Sequence, residues 1–132
     1  MAFEFSIPIA PAPASRPKIG RYGTYYAKSH QAYSQECTRF LAGLHVPVSM
    51  YALKGVNHVD LEFAFHCKRA KNSKILTPRY DLDNLVKLVL DEMTSCGKFF
   101  TDDVQVTSLI AVKLFAEPGH ERTDIKMELL DV

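Results

Sequence analysis

Between Asp81 and Asp103 the chain concentrates its acids: Asp81, Asp83, Asp91, Glu92, Asp102 and Asp103 stand against only Lys87 and Lys98. On extended backbone, residues two apart point the same way, so Asp81 and Asp83 would aim both carboxylates at one side while Leu82 turned to the core. Two such groups repel unless a cation joins them. An all-oxygen site of this kind suits a hard ion such as Mg2+, which takes one or two carboxylates and fills its shell with water and phosphate oxygens. Helix capping competes with this reading, since Asp81 or Asp83 could be an N-cap and Tyr80 with Leu85 fits a hydrophobic staple around Asp81. One cap consumes one aspartate and leaves the second unexplained, although the helix macrodipole also favours Asp in a first turn.

Lys87 lies four residues after Asp83 and four before Asp91, which places the three on one helical stripe. They form either an exposed salt-bridge ladder or a cation held beside metal carboxylates, ready to steady charge developing on phosphorus or a leaving oxygen. Asp102 and Asp103 are adjacent, so on a strand only one can join the first pair. If no bulge intervenes, Asp102 shares parity with Val104, Val106, Ile110 and Val112, and Asp103 with Gln105 and Thr107. A metal that must meet a substrate belongs on the polar, open face, which favours Asp103. Bulges are frequent beside active sites and would upset that parity.

The elements that must position these groups are legible in the apolar spacing. Phe3, Phe5 and Ile7 alternate in a first strand, ended by Pro8, Pro11, Pro13 and Pro17, and the Pro/Ala stretch 8–14 reads as a stiff connector. A basic loop containing Gly and Tyr follows. Tyr33, Cys37, Phe40, Leu41 and Leu44 recur at helical spacing over Ser29–Leu44. His58–Cys67 alternates as a half-buried strand, with Leu61, Phe63, Phe65 and Cys67 on one face. A polar loop, 68–79, leads to a second helix carrying Leu82, Leu85, Val86, Val89, Leu90 and Met93, with Gly97 as its breaker. Val106–Leu114 is a strand with Ile110, Val112 and Leu114 on one side. After the Pro118-Gly119 turn, Ile125, Met127 and Leu129 alternate in a last strand expected to form a hairpin with the one before it. The order strand, helix, strand, helix, strand, strand predicts one α+β domain over residues 1–132: a mixed sheet with helices packed against it.

Composition narrows the remaining classes. With 132 residues, 47% hydrophobic and 23% charged, the chain suits one folded core. Three widely spaced cysteines, Cys37, Cys67 and Cys96, without a C-x-x-C pair argue against a disulfide framework or zinc knuckle. Neither a signal peptide nor a membrane span is expected, which points to a cytoplasmic protein. His30, His45, His58, His66 and His120 have no zinc-ligand spacing, and no phosphate-binding glycine loop occurs. The net charge is only +1, but nine of the sixteen basic residues lie in two acid-free stretches. Arg16, Lys18, Arg21 and Lys28 fall in the first, and Lys68, Arg69, Lys71, Lys74 and Arg79 in the second. A basic track ending in an acidic cluster suits a polyanion held beside bound cations.

Asp81-Leu82-Asp83-Asn84-Leu85 with Lys87, followed by Asp102-Asp103-Val104-Gln105-Val106, resembles the RusA family of Holliday junction resolvases. The Gly-Thr-Tyr-Tyr loop before Gln31-Ala32-Tyr33 is similar as well. The resemblance implies a homodimeric endonuclease that resolves four-way DNA junctions by symmetric nicks. It implies that Asp81, Asp83 and Asp103 bind Mg2+ (or Mn2+) and that Lys87 is needed for cleavage. The segment between Gly97 and Asp102 is one residue longer than in the family's pattern, which keeps Asp102 as the alternative third ligand. The contrasting expectation is a non-catalytic nucleic-acid-binding domain whose carboxylates only cap and salt-bridge.

Overall fold

The period-two apolar positions build one sheet and line one of its faces. A computed structural model describes residues 2–47, 57–70 and 74–131. The elements are β1 (Ala2–Ile7), β2 (Lys18–Gly20), β3 (Gly23–Tyr25), α1 (Lys28–Gly43), β4 (Asn57–Cys67), α2 (Leu82–Cys96), a 3-10 turn (Asp103–Gln105), β5 (Val106–Phe115) and β6 (Arg122–Asp131). The fold is α+β, with a four-stranded mixed sheet in the order β1-β6-β4-β5. Val59, Leu61, Phe63, Phe65 and Cys67 of β4 and Ile125, Met127 and Leu129 of β6 are buried. They share one core with Tyr33, Cys37 and Leu41 of α1 and with Leu85, Leu88, Val89 and Met93 of α2. Truncating a fully buried side chain such as Phe65 to alanine costs on the order of 3–5 kcal/mol.

The hairpin expected between the last two strands does not form. β4 lies between them, parallel to β5 and antiparallel to β6. β6 carries an apolar face that needs a central place, whereas most of β5 is exposed and tolerates an edge. The α2 crossover returns the chain parallel to β4, so β5 takes the outer flank. β2 and β3 make a separate two-stranded hairpin, Lys18 opposite Tyr25, within what reads in sequence as a loop. The connector 8–14 is packed as well as stiff: Pro11 is buried, Ala12 and Ala14 rest on the core, and the Ala14 N–H donates to the Asn84 carbonyl at 2.9 Å.

Two polar devices lock the helices. Glu92 of α2 points inward and is buried, accepting hydrogen bonds from the Ser34 and Thr38 hydroxyls of α1, the latter at 2.9 Å. It therefore belongs to the helix interface, not to the acidic surface. Lys98, just past α2, donates from Nζ to the carbonyls of Leu41, Ala42 and Leu44 at 2.7, 2.8 and 2.8 Å. The Leu41 carbonyl also takes the Leu44 N–H at 3.2 Å, so Lys98 completes the set of acceptors at the end of α1, where a cation also complements the helix dipole. All three cysteines are free thiols. Burial, then the charge of Glu92, pushes the Cys37 thiol up to about 12, and burial raises Cys67 and Cys96 too.

On the opposite face of the sheet, Asp124 accepts from Ser6 Oγ at 2.6 Å and Arg122 Nε at 3.0 Å, with His66 Nε2 at 2.9 Å. Burial pushes this carboxyl up, but the hydrogen bonds from Ser6, Arg122 and His66 prevail and hold it below the usual range. Lys98→Met removes the charged cap of α1 and is expected to cost about 1–2 kcal/mol, read as a lower denaturant midpoint at unchanged m-value.

Candidate metal centre and nucleic-acid interface

Asp81 occupies the N-cap position of α2 with extended backbone (φ −64°, ψ 129°), yet its side chain makes no capping hydrogen bond. The first turn is closed by the Asp81 carbonyl instead, which accepts from the Asn84 and Leu85 N–H groups at 3.1 and 3.2 Å. The carboxylate is thus exposed and unspent. Asp83 is also exposed and uses one oxygen on the Asn84 N–H at 3.0 Å. The extended reading of Asp81–Asp83 holds for Asp81 alone, because the helix has begun at Leu82 and a period of 3.6 replaces a period of two.

Two neighbours fix the main chain at this point. Lys113 Nζ on β5 donates to the carbonyl of Tyr80, the residue before Asp81, at 2.7 Å. On the other side, the Ala14 bond holds the Asn84 carbonyl. Among the described residues no carboxylate lies within salt-bridge distance of Lys113, so its contact with Tyr80 is the one its ammonium makes. Sequence reading missed Lys113, and an isolated lysine in an apolar strand was the only signal available.

Asp102 and Asp103 differ in what they touch at the turn that follows Phe100. Asp102 is structural: its side chain accepts from the Val104 N–H at 3.0 Å and forms a reciprocal capping box with Gln105. Gln105 is buried, and its Oε1 gathers the N–H and hydroxyl of Thr101, both at 2.8 Å, and the Asp102 N–H at 3.2 Å. This knot presents Asp103 to solvent. The strand-parity argument therefore does not apply here, since residues 103–105 form a 3-10 turn. A bulge at Thr107 also flips the faces: Val106 pairs with Val59, but Ser108 pairs with Asp60.

Electrostatics tie Asp103 to α2. The Val104 N–H, then the hydrogen bond with Asp103, lower the Asp102 carboxyl. Asp103 is raised by that shared bond, by desolvation and by the charges of Asp102 and Asp91, with Lys87 pulling the other way. Lys87 and Asp91 form the expected i,i+4 pair at 3.5 Å, both about half exposed or more. Asp91, which sequence spacing assigns only to a ladder, thus belongs to the same field. Among the described residues, no group of three or more His, Cys, Asp and Glu side chains is close enough to form a ready ligand set. The donor chemistry nonetheless fits a hard divalent ion: exposed carboxylates, one of them uncommitted and another raised by anionic neighbours.

The basic residues divide by what they touch. Arg16, Lys18, Arg21 and Lys28 are exposed on and around the β2–β3 hairpin. Lys68, Lys74 and Arg79 are exposed before α2, and Lys71 lies outside the described residues. Arg69 is engaged, its guanidinium 3.8 Å from the Phe115 ring centroid and its Nη1 donating to the Ile75 carbonyl at 2.8 Å. It braces the loop more than it offers a free charge.

A family model described as Endodeoxyribonuclease RusA matches residues 8–128. No curated protein matches the chain. Among the described residues no helix is long and apolar enough to cross a membrane.

Lys113→Met frees the Tyr80 carbonyl and with it the backbone of Asp81. Loss of a group that orients a ligand typically lowers metal affinity about 10–100-fold. If Asp81 is a metal ligand, a drop of that order in Mn2+ binding, measured by calorimetry or paramagnetic resonance, is expected with little change in melting temperature, and Lys113→Arg is expected to restore it.

Proposed function

The chain belongs to the RusA family of endodeoxyribonucleases, and from that membership we propose that it resolves four-way DNA junctions as a homodimer, by Mg2+-dependent hydrolysis with paired symmetric nicks. Holliday junction resolution is the activity of this family, and resolvases of this kind use divalent ions. The observation that carries the site assignment is Asp81: a carboxylate at a capping position that caps nothing, beside the exposed Asp83. In this reading Asp81, Asp83 and Asp103 hold the ion. A bound Mg2+ would supply an activated water at neutral pH and neutralise charge on the scissile phosphate. Lys87, exposed and paired with Asp91 only at 3.5 Å, is free to turn its ammonium to the leaving oxygen. Lys68, Lys74, Arg79 and the hairpin cations Arg16, Lys18, Arg21 and Lys28 neutralise phosphates along the approach.

Symmetric incision requires two centres, and one carboxylate cluster per chain supplies one, so a two-fold dimer is the simplest match to an opened junction. β5 offers a surface for it. This edge strand turns Ile110, Val112 and Leu114 to the uncovered side of the sheet, all substantially exposed.

Asp81→Asn, Asp83→Asn and Asp103→Asn are each expected to reduce junction cleavage by about two orders of magnitude or more, with binding retained, as is chelation of the ion. Asp102→Ala instead should cost about 1 kcal/mol of stability through its lost cap. Full cleavage by any of the three Asn variants would overturn the site assignment, and a chain that binds junctions without metal-dependent nicking would be a binding domain. Light scattering at micromolar concentration is expected to give a dimeric mass, reduced to monomer by Ile110→Lys with Val112→Lys. Uncoupled single nicks in a cruciform plasmid would sink the resolvase reading.

A further inference from the structure

The β2–β3 hairpin has no partner in the main sheet. Two-stranded hairpins of this size are marginal alone, so something must hold it. Its base is closed by Ser15, whose Oγ accepts from the Ala27 N–H at 3.0 Å and whose N–H donates to His30 Nδ1 at 2.9 Å. The Tyr26 and His30 rings stack beside that closure with centroids 4.2 Å apart. Higher up, the Tyr25 ring lies over Gly20 so closely that a Cβ there would meet it at 2.8 Å. Gly23, at φ +119°, makes the turn that Arg21 and Tyr22 cap. The arm is therefore built and anchored, and Ala14, the residue before its base, is the one bonded to the first turn of α2 beside Asp81 and Asp83.

What the arm presents is unusual for a free surface. Ile19 is 90% exposed and Tyr22 94%, among the most exposed large apolar side chains of the described residues. They stand among Arg16, Lys18, Arg21 and Lys28, and no acid occurs between Phe5 and Gln35. The Arg21 guanidinium sits 5.8 Å from the Tyr22 ring centroid. Cations alone would serve an intact duplex through its phosphates and would leave Ile19 and Tyr22 in water. Apolar wedges flanked by cations instead suit DNA whose stacking is interrupted, where a base face is available. A four-way junction interrupts stacking at its branch point.

Resting on the resolvase reading above, we infer that the hairpin tip inserts Ile19 and Tyr22 at the branch point, against the open face of an unstacked base. The strands are three residues each, so the tip reaches on the order of 10 Å beyond its base. Lys18, Arg21 and Arg16 hold the flanking phosphates, and the anchoring of the arm to α2 sets its distance from the carboxylates.

The test uses the full chain in EDTA with a four-way junction carrying 2-aminopurine either at the branch point or within an arm. Wild-type protein is expected to raise fluorescence at the branch point only. Ile19→Ala with Tyr22→Ala is expected to abolish that rise and to weaken junction binding about tenfold, leaving duplex affinity and its salt slope unchanged. Tyr22→Phe, which keeps the ring, retains both, and guards against collapse of the arm in the double variant. An undiminished rise in the double variant would overturn the inference. So would a parallel loss of junction and duplex affinity, which would make the arm an ordinary phosphate contact. If wild-type protein does not prefer the junction over the duplex, the resolvase reading itself fails, a result separate from the other two.

Discussion

The first turn of α2 is held by main-chain groups, and the rest of the site depends on this. Asp81 closes the turn with its carbonyl, Lys113 grips the preceding carbonyl and Ala14 the one at Asn84. Had the Asp81 side chain closed the turn, as an N-cap aspartate ordinarily does, it would have been spent on backbone N–H groups. The same economy recurs at the other end of the segment. Asp102 accepts the capping role and leaves its neighbour Asp103 in solvent. In both places one polar group takes the backbone N–H groups of the turn, and an adjacent carboxylate is left facing solvent.

The sheet supplies the frame for this arrangement. β4, flanked on both sides, carries the core face, while β5 at the edge contributes Lys113 from a position that needs little burial. Glu92 with Ser34 and Thr38, and Lys98 with the end of α1, couple the two helices by hydrogen bonds from the middle of α1 to its C-terminal end. α2 is thus fixed along its length, by polar ties near its start and its C-terminal end and by Leu85, Leu88, Val89 and Met93 underneath.

Much of this was legible in the sequence, and the misses have physical reasons. The helices and four main strands follow from apolar spacing, because burying one face imposes a period. The pairing of β5 and β6 was misread, since period alone says which face is buried and not which strand is the neighbour. The β2–β3 hairpin escaped because its apolar residues face water and leave no alternation to detect. Asp102 and Asp103 could not be ordered by parity, since the 3-10 turn and the bulge at Thr107 both shift the count. The charge segregation was readable, but not that Arg69 would lie on Phe115 or that Lys113 would reach Tyr80, which are contacts between segments distant in sequence.

The order β1-β6-β4-β5 also governs when the protein can exist as a folded body. Ala2 is paired with Glu128 and Phe5 with Ile125, and β6 lies between β1 and β4. During synthesis β1, β4 and both helices are complete while the central strand between them is still missing. Such non-local pairing makes for slow folding, because a long loop must close before the contact rewards it. The sheet that backs the carboxylates of α2 is finished only after residues 122–131 have left the ribosome. A nascent chain near nucleic acid therefore carries its basic stretches, but not the rigid frame that would let it cut.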